Sequence, residues 1–200
     1  MIHADPRRSN LERWIATQFR GARFTLAPAS EDASFRRYFR ATFEDSRTLI
    51  AMDAPPDKED CRPFVHVAAL LKKAGVHAPE VLAQDLEAGF LLLSDLGTRT
   101  YLAELNDASA DRLFADATDA LIAWQRASRP GELPPYDEAL LRRELNLFPE
   151  WYVKRHRGVD LSQSHAEALE NLFAVLVKSA LAQPTVYVHS DYMPRNLMVS

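Results

Sequence analysis

Leu11, Trp14, Ile15 and Phe19 recur at helical spacing behind Ser9 and Asn10, residue types that favour helix N-caps, so an amphipathic helix is expected to open the chain. From Arg23 to Asp53 the period changes. The runs RFTLAP, SFRRYFRAT and RTLIAMD are rich in Phe, Tyr, Thr and Ile and are separated by turn formers, which predicts three consecutive antiparallel strands. Pro55 and Pro56 close the third run. Val65, Ala68, Ala69 and Leu71 then return to near-helical spacing, up to a basic last turn at Lys72 and Lys73 and a glycine stop at Gly75. EVLAQDL and GFLLLSDL, joined across Glu87, Ala88 and Gly89, predict a further hairpin. Strands therefore surround one internal helix, an α+β lobe covering residues 1–96.

Beyond Gly97 the pattern is helical. Leu113, Phe114, Ala117, Leu121 and Trp124 mark one long amphipathic helix, and Leu169, Leu172, Phe173, Leu176, Val177 and Leu181 mark another. A proline-rich link, Pro130 to Pro135, lies between them, followed by EALLRRELNLFPEWYV. The last stretch, TVYVHSDYMPRNLMVS, is expected to form two short β runs flanking a polar loop. No internal repeat or low-complexity tract interrupts this order.

Composition narrows the function classes. At 200 residues, with 47% hydrophobic and 26% charged positions, disorder, collagen and coiled coil are excluded, and one large domain or two small lobes are expected. Twenty-four basic residues against 28 acidic ones give a net charge of −4, which draws the chain toward neither nucleic acid nor an anionic membrane. The short basic run Lys154 to Arg157 reads as a solvated turn. A single cysteine, Cys61, precludes an internal disulfide and has no activating partner in the sequence. No apolar run approaches the roughly 20 residues of a membrane span, and the opening MIHADPRRSN has no secretory core, so a cytoplasmic protein is expected. His3, His66, His77, His156 and His165 lack metal-ligand spacing.

The sharpest chemical signal is His189-Ser190-Asp191-Tyr192-Met193-Pro194-Arg195-Asn196, an H-x-D-x-x-x-x-N pattern. Its spacing matches the catalytic loop of kinase-like enzymes, where the aspartate receives the proton of the attacking hydroxyl and the asparagine binds magnesium. A tight loop presents carboxylate and amide oxygen on one side. Asp and Asn also favour ordinary turns. Context favours the catalytic reading, because a strand-rich lobe, the connecting segment SDLG and a helical lobe precede the loop in the order a two-lobed kinase requires.

With these residues in view, the chain resembles the aminoglycoside phosphotransferase-like small-molecule kinases, and within them the bacterial anomeric kinases for N-acetylmuramate and N-acetylglucosamine of cell-wall recycling. DASFRRYFR (32–40), IAMDAPP (50–56), FLLLSDLG (90–97), RELNLFPEWYV (143–153) and VHSDYMPRNLM (188–198) carry the resemblance, in order along nearly the whole chain. It implies an α+β, two-lobed protein-kinase-like fold, with an antiparallel-sheet N-lobe (1–96) and a helical C-lobe (97–200), truncated at its C-terminus. It also implies ATP and Mg2+ as cofactors and a small-molecule sugar as partner, with Asp191 as the catalytic carboxylate and Asn196 as the metal ligand.

The remaining site residues follow from the resemblance and the local chemistry together. Ser34, Arg36 and Arg37 occupy the turn over the nucleotide phosphates, where arginine forks can grip phosphate oxygens; strand alternation alone would leave both arginines solvated, and the residues leave both uses open. Ser94, Asp95 and Leu96 form the implied hinge, whose backbone binds adenine. Glu144, Asn146, Phe148, Trp151 and Tyr152 make an acidic and aromatic cluster suited to stacking on a sugar or to packing helices. Glu144 ranks first as hydroxyl acceptor. Arg195 stands beside the loop, where it neutralises transferred phosphate or a lactyl carboxylate, or is merely solvated.

Two departures stand out. Met52 occupies the place where this fold carries a strand-three lysine, and the chain reaches Ser200 before any downstream metal-binding aspartate. Arg36 or Arg37 can replace the lysine's charge. Glu59 and Asp60 are candidates to pair with such an arginine, or ordinary acidic residues of a helix's first turn. The expected function is ATP-dependent phosphorylation of the anomeric hydroxyl of N-acetylmuramate or N-acetylglucosamine. The alternatives are phosphorylation of another hydroxylated compound, such as an aminoglycoside, or a catalytically silent kinase-like binding module. The sequence leaves sugar preference, anomer and oligomeric state open.

Overall fold

A computed structural model describes residues 5–30 and 35–199. The first helix, α1, runs Pro6–Gln18. It begins earlier than Ser9 and Asn10 suggest, because Asp5 caps it by accepting the Arg8 N–H at 3.1 Å and Pro6 supplies a preset φ at the first helical position.

Five antiparallel strands follow in the order β1-β2-β3-β5-β4: β1 Phe24–Ser30, β2 Arg37–Phe43, β3 Thr48–Asp53, β4 Val81–Asp85 and β5 Phe90–Ser94. The three expected strands and the later hairpin are all present, as is the helix between them, α2, at Arg62–Lys73. Alternation sorts the side chains of the central strands onto two covered faces. Leu49, Ala51, Phe90 and Leu92 pack with Leu11 and Ile15 of α1, whereas Met52, Leu91 and Leu93 pack with Cys61 and with Phe64 and Val65 of α2. That double burial is why FLLLS reads as a continuous apolar run.

Helices α3 (Tyr101–Glu104) and α4 (Ala110–Arg126) come next. Residues Met1–Ala127 and His189–Ser200 form one compact unit and Ser128–Val188 a second. The sheet, α3, α4 and the His189 loop therefore belong together, a grouping that does not follow the division after residue 96. The second unit holds α5 (Glu138–Leu145), a π-helical segment (Phe148–His156) and α6 (Gln163–Leu181). Arg142 joins α5 to α6 through Glu170 at 2.6 Å, and Ser128 Oγ accepts the Tyr187 N–H at 2.8 Å. The two β runs expected around the polar loop are absent as strands. Among the described residues there, only an isolated bridge forms, between Thr100 and Met198, because the backbone of 197–199 bonds to 99–101 rather than to a neighbouring run.

Candidate active site

The His189–Val199 stretch is shaped by its backbone. Ser190 has a φ of +66°, a conformation costly for a residue with a side chain, and it turns the chain immediately before Asp191. Pro194–Asn196 then makes one 3-10 turn, closed by the Asn196 N–H donating to Met193 O at 2.9 Å. This turn folds Asn196 back. Its Nδ2 donates to Asp191 Oδ2 at 2.7 Å and to Asp191 O at 3.0 Å. The contact joins the two residues on which the catalytic reading rests, and with the amide nitrogen committed inward, the Asn196 amide oxygen is the group offered to an outside cation.

The loop is anchored on helices of the same unit. Tyr192 Oη donates to Ala117 O of α4 at 2.6 Å, and burial pushes the Tyr192 phenol pKa up, which keeps it a donor. The His189 ring meets the Tyr192 ring edge-on at 5.1 Å. Leu197 O accepts the Tyr101 N–H at 2.8 Å, and Arg99 O accepts the Val199 N–H at 2.8 Å. Leu197 and Val199 also pack on Tyr101, Leu113 and Ala117. A cavity of about 280 Å³ opens here, bounded by Leu71, Pro79, Leu96, Trp124, Tyr192 and Asn196. Leu96, read as part of the hinge, thus shares a cavity with the metal-ligand candidate.

Other sequence candidates are placed differently. Ser34 lies outside the described residues. Arg36 is half-buried, and its charge is felt at Cys61. Asp60 accepts the Arg62 N–H at 2.9 Å, as a capping carboxylate does. Arg37 is held by carboxylates: its Nε donates to Asp53 Oδ2 at 3.0 Å and its Nη1 to Asp5 Oδ2 at 2.5 Å. Met52 is fully buried. Ser94 Oγ accepts the Glu80 N–H at 2.8 Å, and the Asp95 carboxylate bonds Arg40. Arg195 is exposed.

The aromatic cluster belongs to the second unit. Phe148, Tyr152 and His156 stack in succession, each pair of rings 5.6 Å apart, and Arg155 lies 4.0 Å over the Trp151 ring. Glu144 accepts the Tyr136 hydroxyl, and that bond raises the Tyr136 pKa. Phe148, Trp151 and Tyr152 are each about half exposed. Glu144 and Phe148 border an apolar groove of about 640 Å³ with Leu141, Leu172 and Leu176.

Sequence reasoning missed the carboxylates behind the arginines. Asp53 is fully buried and receives Arg7 as well as Arg37, the Arg7 Nε at 2.8 Å. A lone acid inside the apolar run LIAMDA was the available signal. Among the described residues no group of three or more His, Cys, Asp or Glu could hold a metal. The Asn196 amide oxygen nevertheless fits magnesium, a hard cation that takes one or two protein oxygens and completes its shell with water and phosphate.

Residues 25–200 match the model of the phosphotransferase enzyme family. The chain belongs to that family. It is 62% identical over 175 residues to an N-acetylmuramate/N-acetylglucosamine kinase of Pseudomonas aeruginosa, covering 88% of this chain and 52% of the relative. It is 40% identical over 198 residues to a kinase of the same name from Neisseria meningitidis, covering 97% of this chain and 59% of the relative. The chain thus spans a little over half the length of these curated relatives. Among solved structures it resembles ADP-bound aminoglycoside phosphotransferase APH(2'')-Ib (TM-score 0.59, 14% identity, 96% of this chain and 66% of that one). It also resembles the streptomycin-ATP-APH(2")-IIa ternary complex (TM-score 0.58, 14% identity, 92% and 62%). At such identity the likeness is one of fold, and the chain has an α+β kinase-like fold. Among the described residues no helix is long and apolar enough to cross a membrane.

Proposed function

We propose that this phosphotransferase is the catalytic-loop-bearing part of an ATP- and magnesium-dependent sugar kinase that phosphorylates the anomeric hydroxyl of N-acetylmuramate or N-acetylglucosamine in the cytoplasm, in peptidoglycan recycling. The observation that carries the reading is the 2.7 Å contact of Asn196 with Asp191 on a strained, helix-anchored turn. The 62% identity to a kinase of that name supports the choice of acceptor.

Asp191 accepts the proton of the acceptor hydroxyl as its oxygen attacks the γ-phosphorus and the bond to the β–γ bridging oxygen breaks, releasing ADP, and Asn196 fixes that carboxylate by donating one hydrogen bond to it. Asn196 Oδ1 would hold magnesium, which when bound neutralises phosphate charge. Arg36 and Ser34 serve the phosphates. Arg37 serves them indirectly, by fixing the start of β2 between Asp5 and Asp53. The backbone of Ser94, Asp95 and Leu96 receives adenine, and Arg195 offsets charge on the transferred group. Glu144, Phe148, Trp151 and Tyr152 offer the carboxylate and exposed ring faces that bind a pyranose.

Met52, buried where a cation would otherwise meet the phosphates, favours a second reading, a kinase-like module that binds without turnover. Asp191→Asn separates the two. In the longest natural form of the protein, turnover should fall by roughly 10²–10⁴-fold while ATP affinity stays within about two-fold. Unchanged turnover would overturn the role of Asp191, and a wild type that binds ATP and sugar without turnover would establish the module.

A further inference from the structure

Arg40, to which nothing above gives a role in the reaction, lies mid-strand in β2 opposite Ile50, and Ile50 is itself paired with Leu93 of β5. Its guanidinium reaches beyond β3 to Asp95, the residue that follows β5. Nε donates to Oδ2 at 2.6 Å, and Nη2 donates to Oδ1 at 3.1 Å and to Gly97 O at 2.8 Å. Asp95 Oδ1 also accepts the Gly97 N–H at 2.9 Å, which closes the segment into a small ring. The Asp95 side chain is 4% exposed and that of Arg40 23%. Burial alone would push the Asp95 carboxyl pKa up, but Arg40, the Gly97 N–H and the Thr48 side chain together more than offset it, so the pair is ionised at neutral pH.

A bidentate fork on a carboxylate fixes direction as well as distance. Gly97 has a φ of +92°, and the 95–100 stretch has no helix or strand of its own, so its direction rests on side-chain bonds, of which the Arg40 fork supplies three. Its far end is sewn to the catalytic loop by Thr100 facing Met198 and by Arg99 O accepting the Val199 N–H. One short segment is therefore clamped to the sheet at Asp95 and to the Asp191–Asn196 loop at Arg99 and Thr100.

We infer that Arg40 is a positioning residue: through Asp95 it fixes the 94–97 backbone for the nucleotide base and sets how the sheet is held against the catalytic loop. The inference rests on the kinase reading above and adds a residue and a division of labour to it. Arg40 touches neither the acceptor nor the reacting atoms, so its loss weakens nucleotide binding selectively and leaves the acceptor's KM alone.

The test uses the longest natural form of the protein and its Arg40→Ala, Arg40→Lys and Asp95→Asn variants, with affinity for a fluorescent ATP analogue, KM for ATP, KM for sugar and kcat measured on each. Arg40→Ala and Asp95→Asn should each raise the analogue's Kd and the KM for ATP about ten-fold, with the sugar KM within about two-fold. Arg40→Lys keeps the charge without the fork and should fall between wild type and Arg40→Ala. Combining Arg40→Ala with Asp95→Asn should add little to either alone, because both break one clamp. A folded Arg40→Ala protein that binds the analogue as wild type does overturns the inference and leaves the kinase reading intact. Equal rises in both KM values overturn it too, since they mark general destabilisation. A wild type that binds no nucleotide overturns the kinase reading itself.

Discussion

Replacing Asp53 by asparagine keeps the shape of the side chain and removes its charge at the most heavily bonded carboxylate of the sheet. Asp53 is fully buried and receives Arg7 Nε at 2.8 Å on one oxygen and Arg37 Nε at 3.0 Å on the other, each guanidinium adding a second bond. An asparagine can accept from one arginine, but its amide nitrogen then faces the donors of the second. Removing one partner of a fully buried ion pair costs about 3–5 kcal/mol. Here the arginine side chains are 32% and 39% exposed and recover part of their hydration, which brings the expected loss to about 3 kcal/mol. For a chain of this size each kcal/mol moves the melting temperature by roughly 2–4 °C, so a fall of about 6–12 °C is expected, measured by calorimetry with Trp14 fluorescence as a probe of the sheet. Arg7→Ala, which leaves Arg37 on Asp53, should cost less, and Asp53→Asn should cost less in that background than in wild type. A melting temperature within 2 °C of wild type for Asp53→Asn would refute the reasoning.

Asp5 gives a pH signature. The hydrogen bond from the Arg37 side chain, followed by the Arg8 N–H, holds its carboxyl below the ordinary aspartate range, so its contribution is complete above the unfolded-state pKa and is lost as pH falls through the folded-state pKa. Asp5→Asn, which can still cap α1, should therefore be less stable than wild type in urea titrations at neutral pH and equal to it in strong acid; a difference independent of pH would contradict this. Gly89 has a φ of +74°, and a Cβ there would lie 1.9 Å from Ala54 O, whereas Gly75, at the same φ, has nothing within 4 Å. Gly89→Ala should accordingly cost at least about 2 kcal/mol more than Gly75→Ala in the same titration, and equal losses would refute the close approach. Burial first, and Asp60 second, push the Cys61 thiol pKa up, so alkylation by iodoacetamide at pH 8 should run far slower in the folded protein than in urea, and equal rates would contradict that burial.

The sheet was legible because its evidence is local. Period-two runs and turn formers announce β1 to β5, and the unbroken apolar stretch at 90–93 announces a strand buried on both faces. The Asp191 and Asn196 pairing was legible for the same reason, since a single turn brings them together. The arginines were not. Arg37 reads equally well as a phosphate fork or a solvated side chain until Asp5 and Asp53 are placed beside it, and those contacts span 32 and 16 residues. Arg40 and Asp95 lie 55 residues apart, so their fork is invisible to any periodicity. The start of α1 was misplaced because Ser9 and Asn10 are good caps, but Asp5 before Pro6 is a better one. TVYVH and LMV have the composition of strands, but among the described residues LMV bonds only to the short 99–101 stretch and TVYVH joins no ladder, and composition does not carry that information.

The measurement that bears most directly on the central claim is transfer of labelled phosphate from ATP, with magnesium, to N-acetylmuramate, N-acetylglucosamine and a panel of aminoglycosides, made on this chain and on its longest natural form. Phosphorylation of the amino sugars at the anomeric oxygen, lost in Asp191→Asn, is the predicted result. Transfer to the aminoglycosides alone, or to no acceptor by either form, would contradict it.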